Sequence, residues 1–445
     1  MAKQVLANQN SEGFRALIAG AMSHFQAGRL TEAETAYRSA LAIVPAHPAV
    51  THNLGVTIAA QGRHREAVGC FDEALQADPG FVSAHYNRGV ALMKLGESRE
   101  AINAFSRTAK LEPQHYQAHR ALGFLFLSQS ERGRALDHFA RTYELRRGDD
   151  RTAIARSSLT TATRQKLEHD AEQFAYLSGR TRDRLRFELL ARSYRAVADQ
   201  ISNEVALLSD EQIDVLGEDF NTPIHLHAAP EVAGSAVNPR ADLAALMSQF
   251  DAQGAISVDD LLTPQALDSL RRYLLDSTIW HDFSHIGGFV ASYLEDGLAC
   301  PLLLQVVDDL RHALPHVLGI HPLCQAWAFK GLNPQSAVDV HADDAAVSVN
   351  FWVTPTQANL DPGHGGLVVC LTPPPAGWHI KDYDADRERI VTFLAHNADN
   401  DLVVPYRQNR AVLFRSRLFH YSDRPQFASG YENHRINLTL LYGQR

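Results

Sequence analysis

The chain is poor in the residues that cross-link or anchor proteins. Only four of its 445 residues are cysteine, and Cys70, Cys300, Cys324 and Cys370 form no CxxC pair. This spacing argues against a zinc knuckle or a disulfide framework and suits a reducing compartment. Residues 1–10 lack an apolar stretch of signal-peptide length, and no apolar run is long enough to span a bilayer. We therefore expect a cytoplasmic protein with no membrane partner.

The overall charge gives no reason to expect a polyanionic partner. The chain has 42 basic and 51 acidic residues and a formal net charge of -9, so it has no general attraction to nucleic acid. We expect no nucleic-acid partner. With 45% of its residues hydrophobic, the chain can bury ample core and should form two or three domains.

The first third of the chain repeats with a period of 34 residues. Alanine recurs at this interval as Ala33, Ala67, Ala101 and Ala135. Aromatic residues recur as Tyr37, Phe71, Phe105 and Phe139, and small residues recur as Ala21, Gly55, Gly89 and Gly123. Pro45, Pro79 and Pro113 end three of the repeats, where a helix must stop. The pattern predicts helical hairpins in which a small residue lets two helices approach and an aromatic ring fills the gap.

On these positions, residues 14–147 resemble the tetratricopeptide repeat family. The resemblance implies an α-solenoid of four repeats that binds a protein or peptide. Arg147 stands where the fourth proline would be, and Arg88 replaces the leucine usual before Gly89. A solenoid needs a polar cap on its last apolar face. We expect residues 148–207 to supply this cap with helices around 160–178 and 183–206.

Asn53 and Asn87 occupy the same position in the two inner repeats, on the helix that lines the concave surface in this fold. An asparagine amide can both donate to and accept from an extended peptide backbone. The asparagine ladder of the O-GlcNAc transferase superhelix, which this part resembles, does so. We predict that Asn53 and Asn87 bind peptide. The alternative is that asparagine is simply common at this position.

The helical pattern fails after the repeats. Residues 208–254 include a stretch with proline and glycine at 230–239 and are predicted to be a linker or lead-in segment. His225 and His227 have the spacing of a metal-binding pair. Because no carboxylate lies nearby at ligand spacing, we interpret them as unrelated to a metal site.

A new domain is predicted from residue 255 onward. Residues 256–262 resemble a strand in pattern, and residues 264–275 have the spacing of an amphipathic helix. Further strands are predicted at 325–330, 345–354, 366–372, 390–394, 410–414, 417–421 and 435–441. Short strands separated by turn residues predict an all-β sandwich or barrel.

His341, Asp343 and His420 are the candidate metal ligands. With 22 histidines in the chain, one HxD motif is expected by chance. Here the motif ends an extended run, however, and residues i and i+2 of an extended backbone point the same way. Two imidazoles and one carboxylate on one face of a metal suit a non-haem Fe(II) oxygenase, because three coordination positions stay open.

Arg435 begins a strand whose polar face also carries Asn437. A buried guanidinium can pair with the far carboxylate of a keto-acid bound to iron. The alternative is a solvated arginine at a sheet edge. Asn350 lies within an apolar run, and a buried amide there must find partners. We therefore include it in the predicted co-substrate site.

Residues 255–445 resemble the Fe(II)- and 2-oxoglutarate-dependent dioxygenases, in the branch of the prolyl hydroxylases. The resemblance implies a multi-domain α + β chain that ends in a double-stranded β-helix, or jelly-roll barrel. It implies His341, Asp343 and His420 as ligands of Fe(II), Arg435 as the residue that binds 2-oxoglutarate, and ascorbate as an auxiliary cofactor. The family often has serine two residues after this arginine, where this chain has Asn437.

Three hypotheses for function follow. The first is a hydroxylase of a protein or peptide side chain recruited by the repeats, with 2-oxoglutarate and dioxygen as co-substrates. In the second, the same enzyme acts on a small molecule and the repeats serve assembly. The third is a repeat scaffold whose barrel is a ligand sensor without catalysis.

Overall fold

The computed structural model describes residues 2–148, 160–239, 243–285, 288–375, 377–378, 387–397 and 400–444. The chain divides into two compact units, which meet in sequence between Leu125 and Phe126. Among the helices of these residues, none combines the length and apolar composition that a bilayer span needs.

The N-terminal unit is built from consecutive helical hairpins. Its helices are Ala2–Gln26, Leu30–Ile43, Pro48–Ala60, His64–Ala77, Val82–Lys94 and Ser98–Leu111, followed by Tyr116–Ser128 at the boundary. Gly28, Gly62 and Gly96 turn the chain inside the hairpins with φ of 72°, 80° and 75°. These glycines also recur every 34 residues, because each tight turn needs a left-handed backbone that glycine adopts at little cost.

Small residues let the two helices of each hairpin approach closely. Ala67 and Ala101 are fully buried, and so is the ring of Phe105. A Cβ atom added to Gly55 would lie 2.8 Å from Cε1 of Phe71, and one added to Gly89 would lie 2.8 Å from Cε1 of Phe105. The predicted pairing of a small residue with an aromatic ring is therefore the packing that the structure has.

The C-terminal unit begins with further helices. They are Arg132–Arg147, Arg164–Ser178, Arg184–Ala198, Asp210–Leu216, Leu243–Gln253, Pro264–Asp276, Pro301–Ala313 and Arg387–Asn397. Helices Arg164–Ser178 and Arg184–Ala198 lie in the predicted cap, and the Gln173 amide donates to the carbonyls of Leu275 and Ser277. Helix Arg164–Ser178 therefore contacts the C-terminal end of helix Pro264–Asp276. Two helices lie within the predicted linker 208–254, where the sequence pattern did not indicate them.

Eleven strands of the described residues form three sheets. In chain order they are β1 Thr161–Ala162, β2 Ala206–Leu207, β3 Ala255–Val258, β4 Phe289–Tyr293, β5 Leu323–Gly331, β6 Val347–Trp352, β7 Leu367–Cys370, β8 Asp401–Val404, β9 Ala411–Arg415, β10 His420–Ser422 and β11 Ile436–Tyr442. β1 pairs with β2. The large sheet has the order β3-β9-β6-β11-β5-β4 and the small sheet the order β10-β7-β8, with antiparallel pairs throughout.

The large and small sheets share one apolar core. Trp352 and Phe414 from the large sheet pack in the same buried cluster as Val369 and Val404 from the small sheet. Residues of both sheets thus alternate between this shared interior and the outer faces, as period-two strands require. The antiparallel sheets that the sequence predicts are present.

One predicted strand is wrong. Residues 390–394 lie in the helix Arg387–Asn397. Ile390, Phe393 and Leu394 are spaced i, i+3 and i+4, and they pack in a cluster with Cys370 and Phe419. A short apolar run such as this one does not distinguish a helix from a strand, so the sequence pattern did not show the helical spacing. The sequence pattern also missed β4 and β8.

The close approach of the helices predicts the effect of adding one methyl group. Gly55→Ala and Gly89→Ala should each lower the free energy of unfolding by about 1 kcal/mol, because overpacking costs ~1–3 kcal/mol and better helix propensity returns at most ~1 kcal/mol. Gly69→Ala is the matched control, since a Cβ there meets nothing within 4 Å, and it should stabilise the chain. Denaturant unfolding followed by far-ultraviolet circular dichroism measures all three. Equal effects at the three positions would contradict the packing described.

Helix Arg164–Ser178 buries a group of ionisable side chains. Lys166 forms an ion pair with Asp170, and His169 Nδ1 lies 3.0 Å from Oδ1 of Asp170. Burial, and after it the nearby Lys330 amine, lower the pKa of His169 from 6.5 to about 3 despite this carboxylate. The imidazole is therefore neutral in the folded chain at neutral pH.

Acid should destabilise the C-terminal unit through His169. Between pH 6.5 and about 3 the unfolded chain binds a proton that the folded chain does not, so stability falls as pH drops through this window, by up to ~1.4 kcal/mol per pH unit. His169→Gln should flatten this dependence, while His396→Gln, at an exposed position, should not. Urea unfolding followed by tryptophan fluorescence reports on this unit, because all four tryptophans lie in it. An unchanged pH dependence in His169→Gln would count against the assignment.

Candidate metal centre

Backbone hydrogen bonds bring the three candidate ligands together. His341 and His420 form an antiparallel bridge, in which the His341 N–H donates to the His420 carbonyl at 3.1 Å and the reverse bond is 2.9 Å. The Asp343 N–H donates to the carbonyl of Ser416 at 2.9 Å. Residues far apart in sequence are thus fixed beside one another at the edge of the small sheet.

The side chains converge on one point. His341 Nε2 lies 3.7 Å from Oδ1 of Asp343, and His420 Nε2 lies 3.5 Å from its Oδ2. One ligand atom from each residue lies within 4.8 Å of the other two. Within the described ranges, no other group of three or more His, Cys, Asp or Glu side chains is arranged in this way.

Each imidazole is oriented by a backbone carbonyl. Nδ1 of His341 lies 2.8 Å from the carbonyl oxygen of Asp339, and Nδ1 of His420 lies 3.1 Å from that of Leu418. A proton on each Nδ1 satisfies these contacts and leaves Nε2 as the free lone pair that a metal needs. Burial, and after it the neighbouring His341, lower the pKa of His420 to about 4. His420 is therefore in the neutral, metal-binding form at neutral pH.

The carboxylate of Asp343 is held by the hydroxyl of Ser348, which in turn contacts the hydroxyl of Ser416. The Ser348 hydroxyl donates to Oδ2 of Asp343 at 2.6 Å and lies 2.8 Å from the Ser416 hydroxyl. Asp343 is 6% exposed, whereas the His341 side chain is 40% exposed. The group is therefore rigid on its Asp343 side and open to solvent on its His341 side.

The donor set fits a first-row divalent metal such as Fe(II). Two imidazoles and one carboxylate grouped on one side leave the remaining positions of an octahedral ion free for other ligands. Hydrogen bonds from the second nitrogen of each ring and from Ser348 to the carboxylate are the outer contacts that such sites usually have.

A cavity of about 30 Å³ adjoins the candidate ligands. Arg435 lines it and is 7% exposed. Its Nε donates to the carbonyl of Gly365 at 3.0 Å and its Nη2 to that of Gly366 at 3.2 Å, but it forms no ion pair with a described residue. Burial lowers the pKa of Arg435 to about 10. A cation therefore faces the cavity without a paired anion, which is costly in a buried setting.

Asn350 and Asn437 lie on neighbouring strands in the wall of the same cavity. Asn437 Nδ2 donates to Oδ1 of Asn350 at 3.2 Å and to the Thr439 hydroxyl at 3.1 Å. Oδ1 of Asn437 is buried and has no hydrogen-bond partner in the part of the chain that the structure describes. The structure thus brings the predicted residues Arg435, Asn437 and Asn350 to one face of the large sheet.

Trp327 lines the cavity but was not among the predicted site residues. It lies opposite Thr439 in the β5–β11 pairing. Its Nε1 is buried and has no hydrogen-bond partner among the described residues. The pairing register of β11 with β5 could have indicated this position. Residues on the polar face of β11 lie opposite alternate residues of β5, which are Trp327 and Phe329.

His225 and His227 lie away from this group. Their backbone N–H groups donate to the hydroxyls of Thr278 and Ser277. His227 Nδ1 lies 3.5 Å from Oδ2 of Asp276, but among the described residues these side chains form no convergent group of three ligands. They provide matched histidines for control variants.

Asn53 and Asn87 lie in the N-terminal unit, on helices Pro48–Ala60 and Val82–Lys94. The structure joins them through His52, whose Nδ1 lies 3.0 Å from Oδ1 of Asn53 and whose Nε2 lies 2.8 Å from Nδ2 of Asn87. Sequence reasoning missed His52, because its position beside Asn53 in the chain gives no sign that the ring reaches the next repeat.

Comparisons with known proteins describe the N-terminal unit. Residues 1–48 and 59–123 match tetratricopeptide repeat family models, so the helical hairpins are tetratricopeptide repeats. No curated protein matches the chain.

Solved structures similar to the chain include MamA from Desulfovibrio magneticus, at 22% identity over 31% of this chain and 78% of that one, with a TM-score of 0.30. A tetratricopeptide repeat protein from Parabacteroides merdae is 22% identical over 42% of this chain and 72% of its own, with a TM-score of 0.30. The first tetratricopeptide repeat domain of Spaghetti, solved with an HSP90 peptide, is 21% identical over 27% of this chain and 95% of its own, with a TM-score of 0.27.

Proposed function

We propose that this chain is an Fe(II)- and 2-oxoglutarate-dependent dioxygenase that hydroxylates a side chain of a polypeptide captured by its repeats. The observation that carries the proposal is the convergence of His341, Asp343 and His420, with both free Nε2 atoms directed at the same carboxylate. These three residues would hold the iron. Bound iron would supply the activation of dioxygen that a C–H bond needs, at the expense of 2-oxoglutarate.

The connectivity of the sheets supports a jelly-roll interpretation of residues 255–445. Along the chain, β6 belongs to the large sheet, and β7 and β8 belong to the small sheet. The chain then returns to the large sheet with β9, to the small sheet with β10 and to the large sheet with β11. Two antiparallel sheets that exchange consecutive strands in this way and share a core are typical of double-sheet jelly rolls. We propose a double-stranded β-helix on this basis.

Arg435 would bind the far carboxylate of 2-oxoglutarate. It is a buried cation that no described carboxylate pairs with, and it lines the same cavity as the candidate ligands. In the observed orientation Asn437 offers the cavity an acceptor, which cannot pair with a carboxylate. The unpartnered Nε1–H of Trp327 is a donor, and we assign it the second contact.

A scaffold without catalysis is the second candidate. The family matches end at residue 123, and tetratricopeptide repeats suit protein interaction by themselves. The uncompensated Arg435 and the oriented imidazoles favour the enzyme, since a pure scaffold has no use for either feature. A small-molecule substrate would keep the enzyme and assign the repeats to assembly. Mass spectrometry of peptides after turnover separates these versions, because only the leading one adds an oxygen atom to a polypeptide.

Metal binding should depend on the three ligands and on the serine behind them. We expect one Mn(II) or anaerobic Fe(II) per chain by calorimetry, lost in His341→Ala and weakened about tenfold in Ser348→Ala, where the carboxylate loses its hydrogen bond. The double variant His225→Ala, His227→Ala is the control and should bind as the native chain does. Equal loss in the control, or unchanged binding in His341→Ala, would refute this site.

Turnover should depend on the shape of the Arg435 side chain as well as on its charge. With Fe(II) and 2-oxoglutarate, Arg435→Met should abolish succinate release, and Arg435→Lys should raise the KM for 2-oxoglutarate, because lysine keeps the charge but loses the planar fork. Arg417→Met, at an exposed position, is the control. No succinate from the native, iron-loaded chain with or without added peptides would favour the scaffold.

A further inference from the structure

The two asparagines of the repeats are joined by a buried histidine. The His52 ring is 9% exposed and packs between the rings of Phe71 and Phe81, at centroid distances of 5.7 and 4.9 Å. Its Nδ1 lies 3.0 Å from Oδ1 of Asn53, and its Nε2 lies 2.8 Å from Nδ2 of Asn87. One ring therefore connects amides on two successive repeats.

These two contacts fix which atoms the amides present. Asn53 meets the ring through an acceptor and Asn87 through a donor, an arrangement that fits a ring with its proton on Nδ1 and an acceptor at Nε2. The N–H groups of Asn53 are then left for the Tyr37 hydroxyl, with which this side chain interacts, and for a ligand. Asn87 keeps its carbonyl oxygen and its second N–H group for a ligand. The repeats thus present the acceptor of Asn87 together with N–H donors, the kinds of group that a peptide unit complements.

An open cavity lies beside Asn53. It has a volume of about 170 Å³, and its walls include Met22, Phe25, Tyr37 and Val56. The Met22 side chain is 48% exposed. An apolar side chain that follows the bound peptide unit would bury surface here.

We propose that His52 is a positioning residue for peptide binding, which sets Asn53 as a donor and Asn87 as an acceptor for an extended chain with an apolar side chain in the cavity beside Asn53. The inference rests on the proposed capture of a polypeptide by the repeats. His52 acts through the two amides and does not itself contact the peptide.

Protonation of His52 reverses this arrangement. An imidazolium donates from both nitrogens, so Nε2–H would face Nδ2 of Asn87 and the amide would have to rotate, which exchanges donor and acceptor. The groups that face the ring from its own helix and the next elements are uncharged: Phe71, Phe81, Asn53, Asn87 and the Ser83 backbone. Burial lowers the pKa of His52, so the bridging form is present at neutral pH and is lost on acidification.

The test uses the full chain and a peptide chosen from a random 12-residue library. Panning is done on the native chain at about pH 7.5, with counter-selection on the double variant Asn53→Ala, Asn87→Ala. Retained peptides therefore need the two asparagines. If counter-selection leaves no peptide, capture by the asparagines is wrong, and the inference falls with that part of the proposed function.

With such a peptide, two variants of His52 separate positioning from a merely structural role. His52→Phe keeps the aromatic packing and should weaken binding about tenfold. His52→Gln offers one donor and one acceptor at similar spacing, so it should retain most of the affinity. Because the pKa of His52 is lowered from 6.5, the native chain should bind more weakly only when the pH is brought well below 6.5, while His52→Gln should show no such change. Circular dichroism checks that both variants fold. Unchanged affinity in His52→Phe, or the same pH profile in His52→Gln, would overturn the inference while leaving peptide capture intact.

Discussion

The antiparallel bridge between His341 and His420 is the interaction on which the candidate centre depends. Two backbone hydrogen bonds fix these residues side by side. Because Asp343 follows His341 by two residues of extended chain, the bridge also sets the position of the carboxylate. Each imidazole is then held by a carbonyl two residues before it in the chain, at Asp339 or Leu418. The geometry thus arises from backbone pairing, and the side chains need little freedom to meet one ion.

The charges of the side chains around the cavity depend on the same arrangement of residues. Without ligands, the carboxylate of Asp343 and the guanidinium of Arg435 carry opposite formal charges, and the buried His420 is neutral because of its lowered pKa. Under the proposed function, a divalent cation beside Asp343 and a dicarboxylate beside Arg435 add opposite charges of equal size. The cation would lie beside the carboxylate of Asp343, and the dicarboxylate would lie beside the guanidinium of Arg435. Each buried charge would then be paired with a charge of opposite sign.

The sequence predicted features that depend on local spacing. The 34-residue period located the hairpins because each one requires a small residue against an aromatic ring, as at Gly89 and Phe105. The HxD motif located His341 and Asp343 for a similar reason, since residues i and i+2 of an extended segment share a face. Features set by long-range contacts were missed or wrong. Trp327 faces the cavity through the register of β5 on β11, the His52 ring reaches a neighbouring repeat, and the short apolar run at Ile390 does not separate helix from strand.

Whether a metal sits among the three converging side chains can be tested directly by anomalous diffraction at the iron absorption edge, from crystals loaded with Fe(II) without oxygen. The account predicts a single strong peak within bonding distance of His341 Nε2, His420 Nε2 and a carboxylate oxygen of Asp343. A peak elsewhere, or no peak at this point in crystals shown to contain iron, would contradict it.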